Sequence, residues 1–122
     1  MIETQKMIIE FLEKAYELTT YSLKLVQNKE YEQLNEALEN RERAINIIDS
    51  LSQRLYLHQK NKDPKEFTAF NNQLNQVINQ INSIDEIIMS CLEHEKDQTQ
   101  FEIAKTFKNK ENFKGSNLNN IK

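Results

Sequence analysis

Few side chains in this 122-residue chain have the type and spacing that chemistry requires. Cys91 and His94 stand three positions apart with Glu95 beside them, a spacing that places a thiol and an imidazole on one helical face. That is half a metal site. Cys91 also continues the apolar series Ile84 and Ile88, so the pattern favours a thiol packed in a core and chemically quiet. His58 lies on a different segment and has no fixed relation to His94. No HExxH or G-x-S-x-G sequence occurs, and one cysteine cannot close an internal disulfide. A single glycine leaves nothing for a phosphate-cradling loop or a dinucleotide fold. The residues therefore point to a protein that is not an enzyme and uses no metal or cofactor.

The remaining chemistry is that of a charge in an apolar setting. Arg41 falls between Leu38 and Ile45, where a helical seam calls for an aliphatic residue. A buried guanidinium without a partner costs several kcal/mol, on the order of 3–5. The position therefore predicts a carboxylate from a facing helix, or a stem that carries the charge outward. A structural, register-setting role is favoured over contact with a partner protein. Replacement of Arg41 by Leu is expected to leave the helical fold intact.

Three elements must position this residue. Apolar residues recur at three-and-four spacing over Met7 to Val26 (Ile8, Phe11, Leu12, Ala15, Leu18, Ser22, Leu25, Val26), which predicts a first helix. After the polar break Gln27-Asn28-Lys29-Glu30, the series Tyr31, Leu34, Leu38, Arg41, Ile45, Ile48, Ser52 and Leu55 predicts a second over about 30–58. Asp63, Pro64 and Glu66 form a start signal for a third, over 64–93. Its stripe includes Phe67, Phe70, Leu74, Ile78, Ile81 and Ile88. The expected fold is all-α: an antiparallel bundle of three long helices with a short, detachable fourth helix at the C-terminus. Residues 1–97 would form the bundle and 98–122 the short helix with a basic tail.

Composition sets limits on partners and place. Apolar residues make up 38% and charged residues 29%, so the core should be a narrow seam. Residues 1–104 carry 11 basic and 18 acidic side chains, whereas 105–122 carry 5 and 1. An acidic body with so short a basic tail argues against nucleic acid. The longest apolar runs are three residues, so no membrane insertion is expected. Met1 to Lys6 lacks the charged-then-apolar pattern of a signal peptide, and a cytoplasmic location is expected.

Apolar residues also occur beyond the three seams. Ile9, Tyr16 and Leu23 repeat every seven residues on the first helix; Ile47 and Leu51 add to the second, and Ile87 and Met89 to the third. A second apolar face needs a covering. The fourth helix or a second subunit could supply it, or the face could be a groove for an amphipathic helix of a client protein.

The segment from Tyr31 to Ile45, with its leucine spacing and Arg41-Glu42 step, resembles the corresponding stretch of flagellar type III export chaperones of the FliT and FlgN kind. Length, acidity, Ile84-Asp85-Glu86-Ile87-Ile88 and the tail Asn112 to Asn117 agree with that resemblance, which covers most of the chain. It implies a cytosolic chaperone that binds a C-terminal helical segment of a flagellar axial protein, holds it unassembled and delivers it to the export apparatus. The client would be the filament cap protein in the favoured FliT type, or a hook–filament junction protein in the other. The resemblance further implies a client groove that includes Ile47, Leu51, Ile87 and Met89. Its mask would be the C-terminal segment bearing Phe101, Ile103, Ala104 and Phe107. The alternative is a structural or adaptor protein that forms a homodimer through its second stripe.

Overall fold

The computed structural model describes residues 2–57 and 64–94. These residues form three helices, α1 (Glu3–Gln27), α2 (Tyr31–Leu57) and α3 (Pro64–His94), and among the described residues there is no strand. The all-α reading and its three long helices are met. The fourth helix, the 98–122 tail and the Asp63 start signal lie outside the described residues.

α1 begins at Glu3, a turn ahead of the Met7 start read from periodicity. The difference has a local cause. The Ile2 amide donates to Gln5 Oε1 at 3.1 Å and the Lys6 amide to the Ile2 carbonyl at 3.1 Å. The first turn is thus closed by a buried glutamine, to which an apolar-spacing rule is blind.

The exit from α1 is equally specific. The Glu30 amide donates to the Leu25 carbonyl at 2.9 Å and the Lys29 amide to the Val26 carbonyl at 3.2 Å. This pair of bonds is a Schellman motif, and it requires a left-handed residue at its turning point. Lys29 takes that conformation with φ 59° in a position where glycine is the common choice. The Leu34 amide then donates to the Glu30 carbonyl at 3.0 Å, so α2 starts at once in the reverse direction.

Two groups of buried apolar side chains show how the helices run. One joins Ile8 to Ala15 of α1, Ala44 to Leu55 of α2 and Phe70 to Ile81 of α3. The other joins Leu25 and Val26, Leu34 and Ala37, and Ile88 and Leu92. α2 therefore runs antiparallel to α1 and α3, which are parallel to each other.

α1 makes close backbone approaches to both partners, whereas α2 and α3 stand wider apart. A helix packed on two sides must bury a broad arc. Ile9 is buried, and Tyr16 and Leu23 are half-buried against the two cores. The seven-residue series on α1 is thus not spare surface awaiting a covering; the three-helix packing uses it.

Candidate functional site

Between the two cores lies a polar layer to which each helix contributes. Arg41 of α2 is only 2% exposed, Asp85 of α3 8% and Thr19 of α1 fully buried. Arg41 Nη1 donates to Asp85 Oδ1 at 2.5 Å and to Thr19 Oγ1 at 3.0 Å. The Thr19 hydroxyl spends its own proton on the Ala15 carbonyl at 2.8 Å, which leaves its oxygen as an acceptor for the guanidinium. Ser22, one turn on, bonds likewise to the Leu18 carbonyl at 2.7 Å.

The expected carboxylate partner of Arg41 is therefore present, on the helix that α2 does not approach closely. A long guanidinium stem is suited to spanning that wider gap. Removing two charges from water offsets most of their attraction, so such a pair is better understood as fixing register than as adding net stability. One expectation changes. Arg41→Leu alone leaves the Asp85 carboxylate in its buried place without this guanidinium, at a cost of about 3–5 kcal/mol, and is not a neutral replacement.

Asp85 and Thr19 were not singled out from sequence, though both carry a signal. Asp85 sits four positions after Ile81 and three before Ile88, the seam spacing of α3. Thr19 occupies the same kind of position between Ala15 and Ser22. A polar residue at seam spacing on each of three helices indicates one buried layer.

The four residues assigned to a client groove separate into two kinds. Ile47 and Ile87 are 41% and 48% exposed. Leu51 belongs to the larger core at 5% exposure, and Met89 is half-buried against the smaller one. Because α2 and α3 run in opposite directions from the Arg41–Asp85 level, Leu51 and Met89 lie roughly 20 Å apart along the bundle. Leu51 and Met89 serve the fold, and the structure does not gather the four into one groove. Ile87 follows Asp85 by two positions, about 200° around the helix, so it faces away from the polar layer. Ile84 and Cys91, both half-buried, flank it on α3.

Cys91 is half-buried rather than fully enclosed, and His94 is exposed in the last turn of α3. Among the described residues no group of three His, Cys, Asp or Glu side chains is placed to hold a metal ion. No helix among them is long and apolar enough to cross a membrane. His58, Glu95 and the masking residues Phe101, Ile103, Ala104 and Phe107 lie outside the described residues. Comparison with known proteins finds no matching family model, no similar curated protein and no similar solved structure.

Proposed function

We propose that this chain is a non-enzymatic binding protein that takes up an amphipathic helical segment of a flagellar axial protein, the filament cap protein first, for type III export. The observation that carries this reading is the exposure of Ile47 and Ile87. The fold leaves these two large aliphatic side chains on the outer flanks of α2 and α3, where a client helix could use them as anchors. Each such anchor can contribute roughly 1.5–3 kcal/mol when buried, before ordering costs. The Tyr31 to Ile45 resemblance supplies the class of client, and the C-terminal segment with Phe101 and Phe107 would compete as a lid.

Calorimetric titration of the cap protein's C-terminal segment tests this on the intact chain, Ile47→Asp, Ile87→Asp and Phe101→Ala/Phe107→Ala. Each aspartate should weaken binding at least tenfold, about 1.4 kcal/mol, while both variants keep the wild-type helicity because neither site is in the core. The double alanine form should bind more tightly. Absence of binding to the intact chain, or equal affinity in all four forms, removes the chaperone reading. A molar mass twice that of one chain, halved by either aspartate, would establish the homodimer in its place.

A further inference from the structure

The buried polar layer divides the apolar packing on all three helices. On α3 the fully buried residues of the larger core end at Ile81 and those of the smaller begin at Ile88, with Asp85 between them and the half-buried Ile84 beside it packed against the smaller core. On α2 the division falls at Arg41, between Ala37 and Ala44; on α1 it falls at Thr19 and Ser22, between Ala15 and Leu25. No buried apolar residue belongs to both cores among the described residues. The smaller core is also thin: each helix commits two buried apolar residues to it, against four or five to the larger. Of the three pairs, Leu25 and Val26 are tied to Leu34 and Ala37 by the Schellman turn, whereas Ile88 and Leu92 meet them from α3 by packing alone.

We propose that residues 86–94 of α3 open as one unit from the α1–α2 hairpin while the rest of the bundle stays folded, with the Arg41–Asp85–Thr19 layer as the boundary. Local opening follows the least-packed cooperative unit, and a break in apolar continuity is where cooperativity ends. Asp85 stays with the closed part because the guanidinium and, through it, Thr19 fix its helix at that level. Opening uncovers Leu25, Val26 and Leu34. The inference stands independently of the chaperone reading, since it concerns the isolated chain.

Native-state amide hydrogen exchange on the intact 122-residue protein tests it. Amides of 86–94 should share one opening equilibrium, with protection roughly 100-fold or more below that of 74–81. In Arg41→Leu/Asp85→Leu the seam becomes continuous, and the protection of 86–94 should rise about tenfold or more toward that of 74–81. Protection that declines smoothly toward 94 would be ordinary end fraying and would overturn the proposal. So would a shared plateau unmoved by the double substitution. Should the double variant not fold, Ile48→Val in the larger core decides the matter. Because Ile48 stays buried when 86–94 opens, it should speed exchange of 74–81 about fivefold and leave 86–91 unchanged, whereas equal acceleration of both segments would show one cooperative unit and overturn the proposal.

Discussion

At one end of the bundle Ile8 and Leu12, Ile48 and Leu55, and Phe70, Leu74 and Ile81 interlock, all 1% exposed or less. At the other, four residues of the hairpin meet two of α3. Both ends use the same aliphatic residue types on the same three helices. What separates them is how many side chains each helix commits, and the polar layer keeps the larger end from lending continuity to the smaller. A bundle with an even seam would unfold as a whole, and the difference between ends teaches that here Arg41 and Asp85 set where packing stops.

The largest effect is expected from removing the biggest side chain of the stronger end. Phe70→Ala should cost about 3–5 kcal/mol in urea unfolding followed by circular dichroism, a large share of the roughly 5–15 kcal/mol available to a domain of this kind. Leu92→Ala deletes a side chain that is just as buried, 1% exposed, from the weaker end. Its global cost should be clearly smaller, below about 2 kcal/mol, because the segment it anchors contributes little to the rest. Equal costs for the two would break the comparison.

A smaller effect sharpens it. Ser52 is 1% exposed within the α2 stretch of the larger end, and its Oγ has no hydrogen-bond partner among the described residues. Ser52→Ala removes a hydroxyl that has left water without compensation. Stability should rise by about 1 kcal/mol, measured by the same unfolding curves, and a loss of that size would show that the hydroxyl is satisfied.

Much of this architecture is legible in the sequence, for a simple reason. Apolar residues at three-and-four spacing mark helices whatever they pack against, so α2 and α3 fall within a residue or so of their predicted ends. Arg41 announced its need for a carboxylate by interrupting that spacing. Which carboxylate answers is a matter of how helices are arranged in space: an antiparallel bundle was expected, but only the register of α2 against α3 brings Asp85 to the level of Arg41. The same limit explains Ile9, Tyr16 and Leu23. A second apolar series looks like spare surface until α1 is seen to sit against both other helices. Leu51 and Met89 were assigned to a groove on apolarity, which does not separate a core side chain from an exposed one.

The measurement that bears most directly on the polar layer as a matched, register-setting pair is a double-mutant cycle on Arg41 and Asp85, with urea unfolding of wild type, Arg41→Leu, Asp85→Leu and the pair. Each single replacement should cost about 3–5 kcal/mol, because it leaves one buried ionic group without its counter-charge. The pair should recover most of that loss or exceed the wild type, giving a coupling of several kcal/mol between residues on helices whose backbones stand wider apart than those of the other two pairs. Costs that simply add, with the pair less stable than either single variant, would contradict the account.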